Sequence, residues 1–323
     1  MERSPLTYMQ QLETKVILAT TSLLALSGCT LQFDSESEAS EGGRPAAASP
    51  AAEAKATPEA CSSLAKRGFL VEATNGTASL DELATKHQVP AEAISDFSTE
   101  AGLSNKDVSD NCAAIPVSRV SKLSDGQFKG MDGLSWRKGC LPGEDSLRLV
   151  TVPFRTYQNK SEIGQVVMNA KVAEATASTF QDIYAETTFQ IESVRPLEQV
   201  VDPSSKTNSL VDAAQLDSTS MEKNNTLGFT CRNAVGVAPE KVSSHGMGMA
   251  VDVNPRTNPH IVDGTPTPPN AEAADDRSTH IPGLISREDP DGSLVIDIFE
   301  KNGFTWGGDN EVNKDYQHFV SDE

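Results

Sequence analysis

The chain has 323 residues, 37% of them hydrophobic and 5% aromatic, and carries a formal net charge of -19 at pH 7. That length holds two modest domains plus non-globular segments. The acidic balance, with no basic block and no interleaved aromatic patch, excludes nucleic acid or an anionic membrane surface as the main partner.

The N-terminal "KVILATTSLLALSGCT" places Lys15 before an apolar stretch from Val16 to Leu26, followed by Leu-Ser-Gly-Cys ending at Cys29. The run is too short to span a bilayer comfortably and reads as a cleaved secretory signal over 1–28. Leu-Ser-Gly-Cys resembles the bacterial lipobox, which implies lipid on Cys29 and an extracytoplasmic protein tethered to the membrane by that anchor alone. Residues 29–58 are rich in Ala, Ser, Pro and Glu and cannot bury enough apolar surface to offset ordering, so they read as a disordered tether.

Residues 59–120 read as a small separate unit. Leu80, Leu83 and Ala84 share one face of a short helix, and Ala93, Ile94 and Phe97 share a face of the next. Pro90 suits an early turn of the second helix. Short apolar runs, "GFLVEA" and "CAAIPVSR", flank the pair as strands. This βααβ order, with Val89, Ile115 and Pro116 in rhythm, resembles a LysM module and implies binding to the glycan strand of peptidoglycan.

From 121 to 323 the pattern is mixed. "RLVTVPF" and "TFQIESVRPL" read as strands, and residues 164–187 as one amphipathic helix with Val172, Ala175, Thr179 and Ile183 on its stripe. "SLVIDIFEKNGF" reads as a helix closed by Gly303. Without βαβ alternation the class is α+β, an antiparallel sheet with helices packed on it. With Cys29 taken by lipid, four cysteines remain, an even number that suits two disulfides in an oxidising compartment. The domain layout favours Cys61–Cys112 and Cys140–Cys231 over the two other pairings.

Two segments carry chemistry. "SSHGMGMAVDVNP" (243–255) sets His245 and Asp252 seven residues apart, and "DYQHF" (315–319) sets Asp315 three before His318. A catalytic zinc takes three protein ligands from His, Asp or Glu, and its water needs a nearby carboxylate to accept a proton. On residue types alone the plainer reading is favoured, with His245 a loop histidine and Asp252 a strand-end cap. His260 and His280, between the two segments, read as rim residues rather than ligands, and Trp306 and Phe319 as core.

Together with "WRKGC" (136–140), "VRP" (194–196), "GFTCR" (228–232) and "GFTWGGD" (303–309), these segments resemble the VanY-type zinc D-alanyl-D-alanine carboxypeptidases and L-alanyl-D-glutamate endopeptidases, which share the Hedgehog-type fold. The resemblance implies Zn2+ on His245, Asp252 and His318, with Asp315 as general base. It also implies Arg195 at the substrate carbonyl or its oxyanion, and Ser243 orienting the site from behind. The substrate implied is the peptidoglycan stem peptide, cut by a D-alanyl-D-alanine carboxypeptidase. The alternatives are an endopeptidase of the same family or a non-catalytic zinc- or wall-binding lipoprotein.

Overall fold

The computed structural model describes residues 58–234, 241–271 and 277–321. The expected signal segment 1–28, Cys29 and nearly all of the expected 29–58 tether lie outside the described residues.

The N-terminal unit runs α1 (Pro58–Lys66), β1 (Leu70–Ala73), α2 (Leu80–His87), α3 (Ala91–Glu100), α4 (Asn105–Asp110) and β2 (Cys112–Ile115). Ser79 and Glu82 form a reciprocal capping box that starts α2, which buries Leu83. Pro90 is the cap residue of α3, just outside the helix, and Ile94 and Phe97 are fully buried behind it. The strands β1 and β2 pair antiparallel, Leu70 with Ile115 through Ala73 with Cys112. To the expected βααβ order the structure adds α1 and α4. A second capping box, Ser104 with Asp107, starts α4, and a Cys61–Cys112 disulfide ties α1 to β2.

The boundary expected at 120/121 falls inside β3 (Arg119–Lys122), which pairs with β4 (Leu147–Arg155) after α5 (Asp125–Met131). The strand β4 then pairs with β5 (Ser161–Asn169) over nine residues. Residues 164–169 are therefore strand, not the start of a helix, and α6 (Ala173–Glu186) begins only after Val172. The reason is local: Asn159 at φ +58° sits in a turn closed by Thr156 and Lys160, and it folds the chain back as a hairpin. Val166 and Val167 then suit a pleated, buried strand better than a helix. Helix α6 lies on this sheet and buries Ala177, Phe180, Ile183 and Tyr184. Tyr184 also meets Phe97 edge-on at 6.2 Å, and Gln181 bonds both Pro116 O and Ser118 N–H, so the N-terminal unit is docked against α6.

The remaining elements are β6 (Ser193–Val194), α7 (Asp212–Glu222), β7 (Asn225–Thr226), α8 (Ser244–Met247), β8 (Ala250–Asp252), β9 (His260–Val262), β10 (Thr265–Thr267), α9 (Pro290–Lys301), β11 (Thr305–Trp306) and β12 (His318–Val320). Of the strand expected across 188–197, only Ser193–Val194 forms: Pro196 has no N–H to extend the ladder past it, and before it Gln190 makes only an isolated bridge to Arg155. It pairs in parallel with β7, while β11, β12 and β8 form an antiparallel sheet. A Leu227–Asp252 bridge links the end of β7 to β8. Asp289 caps α9 through Gly292 N–H, and Gly303 follows its end as the sequence suggests. The class is α+β, with antiparallel pairing divided among several small sheets. The core packs α6 and α9 against them: Phe299 stacks on Phe319 at 3.7 Å and meets Phe180 edge-on. Trp306 and Phe319 are both buried in it. A Cys140–Cys231 disulfide fastens the segment before the short helical turn Glu144–Ser146 to the extended segment after β7.

Candidate metal centre

Three side chains meet because of one strand register. In the β8–β12 pair, His318 is the direct partner of Asp252, so both project from the same face although 66 residues separate them. His245 arrives from α8, a single turn started by Ser243, whose hydroxyl accepts the Gly246 N–H at 2.9 Å. Glycine is required on that turn. A Cβ on Gly246 would lie 2.8 Å from Arg232 O, and Gly248 at φ +70° reverses the chain into β8.

The donor atoms converge. His245 Nε2 lies 3.1 Å from His318 Nδ1 and 3.2 Å from an Asp252 oxygen, and His318 Nδ1 lies 2.9 Å from the other. Tetrahedral zinc at ordinary bond lengths holds its ligand atoms about 3.3 Å apart. One donor atom from each residue lies within 4.8 Å of the other two, and the N2O donor set is one that zinc takes. His245 Nδ1–H donates to Gly228 O at 2.8 Å, which leaves Nε2 as the lone-pair nitrogen facing its neighbours. The hydroxyl beside His318 is Ser244, 3.4 Å from Nε2, whereas Ser243 acts through the backbone of the turn. Among the described residues this is the one group of three or more His, Cys, Asp or Glu whose donor atoms gather for a metal.

The charges are mutually dependent. Burial opposes ionisation of Asp252, but His245 and His318 override it and hold the carboxyl well below its usual range. Burial likewise opposes a charged His318, and Asp252 and Asp315 outweigh it and raise the imidazole. Asp315 goes the other way: burial, helped by Asp252, holds it above the usual carboxylate range against the pull of His318 and His260. One oxygen of Asp315 is buried with no hydrogen-bond partner, and the other lies 3.8 Å from His260 Nδ1. An orphaned carboxylate oxygen beside a convergent donor set is an acceptor poised for a proton that the protein does not supply.

These groups line a cavity of about 480 Å³. Asp315 and the three donors are all in it. His260 is on its rim, bridged to Asp315 through the backbone, as a non-ligand. His280 is elsewhere, in a smaller cavity of about 280 Å³, its ring 2.5 Å from Asp289 and largely exposed. Arg195 does not join the lining: its side chain is exposed at the end of β6, and its peptide groups are bonded by the Asn225 amide. The arginine that does line the cavity is Arg232. Its Nε donates to Asp217 at 2.5 Å, and although burial opposes its charge, Asp217, Asp252 and Asp315 keep it ionised. The sequence carried a signal for it in Cys231, whose disulfide fixes the adjoining backbone. Asp217, on the inward face of α7, was a second signal.

No curated protein and no solved structure matches the chain. Residues 237–320, which contain His245, Asp252, Asp315 and His318, match the family model described as D-alanyl-D-alanine carboxypeptidase, and this supports a peptidase domain of that family over the matched stretch.

Proposed function

We propose that the chain is a zinc peptidase of the peptidoglycan stem peptide, acting as a D-alanyl-D-alanine carboxypeptidase. One observation carries the reading: His245, Asp252 and His318 present two nitrogens and a carboxylate at zinc spacing, beside the unpartnered oxygen of Asp315. The family match over the same residues supports the peptide substrate. A zinc ion held there would polarise the scissile carbonyl and lower the pKa of a water to about 7. Asp315 takes the water's proton and returns it to the leaving amine, and its burial keeps the carboxylate a stronger base than usual. The charge-stabilising role that the resemblance gives to Arg195 is better met by Arg232, because Arg232 lines the cavity and Arg195 does not.

The rest of the chain fits an envelope enzyme. Lipid on Cys29 would hold it to the bacterial membrane, and the 59–120 unit would keep it on the glycan strand, raising effective substrate concentration. Incubating purified muropeptides with the protein, with and without chelator, and following the products by mass spectrometry tests the reading. Zinc-restored release of free D-alanine supports it, cleavage inside the stem redirects it to the endopeptidase class, and intact muropeptides refute it.

A further inference from the structure

The cavity contains a second buried polar group that zinc binding and proton transfer leave unused. Gln317 precedes His318, is 3% exposed and lines the cavity. Its Oε1 is buried with no hydrogen-bond partner. Its Nε2 meets only the sulfur of Met221 at 3.9 Å, a weak acceptor. A buried primary amide is normally paired at both ends. Its main chain is anchored beside the site: Gln317, in the turn just before β12, accepts the Val253 N–H on its carbonyl oxygen at 2.9 Å. Met221, which it touches, adds apolar surface to the cavity, as do Val242 and Val262.

An amide with an unpaired acceptor and an almost unpaired donor is complementary to one molecule-scale group above others, a peptide unit, which presents an N–H and a C=O. We infer that Gln317 is a substrate-binding residue that pairs with a peptide unit flanking the scissile bond, Oε1 accepting the substrate N–H and Nε2 donating to its carbonyl. The inference rests on the peptidase reading of the site. It adds that the enzyme reads the main chain of its substrate from the turn that enters β12, one residue before the metal ligand His318.

The test compares wild-type protein with Gln317→Met, loaded with zinc, on a stem pentapeptide and on analogues in which each peptide N–H flanking the scissile bond is replaced in turn by an ester oxygen. The variant should lose about tenfold in kcat/KM, as expected for one hydrogen bond to substrate. Its thermal midpoint should not fall, because an unsatisfied amide has been replaced by a side chain of similar shape. One ester analogue should cost the wild type about tenfold and the variant much less, since the partner of the missing N–H is already gone. Activity within twofold of wild type, a fall in midpoint that parallels the activity loss, or equal ester penalties in both proteins overturns the inference. Should the wild type leave the peptide uncut, the peptidase reading falls, and calorimetric peptide binding decides Gln317. Tenfold weaker binding by the variant sustains it, and equal binding or none overturns it.

Discussion

Replacing Asp315 by Asn separates catalysis from stability and from metal binding in one variant. The carboxylate is half-buried, with one oxygen fully buried and without a partner and the other keeping only a 3.8 Å approach to His260. A neutral amide of the same shape removes an ionised group that burial disfavours, so the fold should lose nothing and gain about 1–2 kcal/mol at neutral pH. For a protein of this size that is a rise of several degrees in thermal midpoint, roughly 2–4 °C per kcal/mol. Zinc should stay bound one to one, because Asp315 is not among the three convergent donors. Turnover should fall by about 10²–10⁴, the usual worth of a positioned general base. Calorimetric melting, metal analysis and stem-peptide hydrolysis on the same preparation check all three. A variant that loses zinc, or that cleaves at the wild-type rate, refutes the assignment of Asp315.

His318→Ala should abolish stoichiometric zinc and, with it, the zinc-dependent stabilisation of about 2.7 kcal/mol expected at a hundredfold excess over Kd, read as a lost shift in thermal midpoint. Replacing Cys140 and Cys231 together by Ser opens a loop with a sequence separation of 91 and should cost roughly 4.5 kcal/mol by loop entropy, measured by denaturant unfolding. Phe319→Ala should cost about 3–5 kcal/mol in the same assay, since the ring is fully buried and stacked on Phe299. Burial raises the Glu198 carboxyl, with the Ser135 hydroxyl bonded to it. The folded state therefore holds that proton more tightly than the unfolded chain, and stability falls as pH rises from the unfolded glutamate value near 4.3 through the raised folded value. Glu198→Gln should melt higher than wild type at pH 7, with the difference vanishing near pH 4.

What could be read from the sequence was set by period and spacing. Helix α9 and the capped α2 carry their start and stop signals locally, and both formed where those signals lie. Residues 164–169 misled because "GQVVMNA" runs without a break into a true helix. The deciding information was a turn at Asn159 and a partner strand, neither of which periodicity reports. The metal donors were legible as residue types in two motifs, but their meeting depends on the β8–β12 register, a tertiary fact. In the sequence Arg232 was a letter of "GFTCR" beside the disulfide cysteine Cys231. Its importance comes from Asp217, 15 residues away on another element, which turns an ordinary arginine into a fixed cation at the cavity wall. Arg195 stood out by motif and yet ends exposed: in β6 it is Val194 that turns inward, and Arg195 follows it just past the strand's end.

Anomalous X-ray scattering at the zinc edge, from crystals of the zinc-loaded protein, locates the ion among its proposed ligands. One strong peak is expected within about 2.0–2.2 Å of His245 Nε2, His318 Nδ1 and an Asp252 oxygen. A peak at the His280–Asp289 pair instead, or none at the three donors, would contradict it.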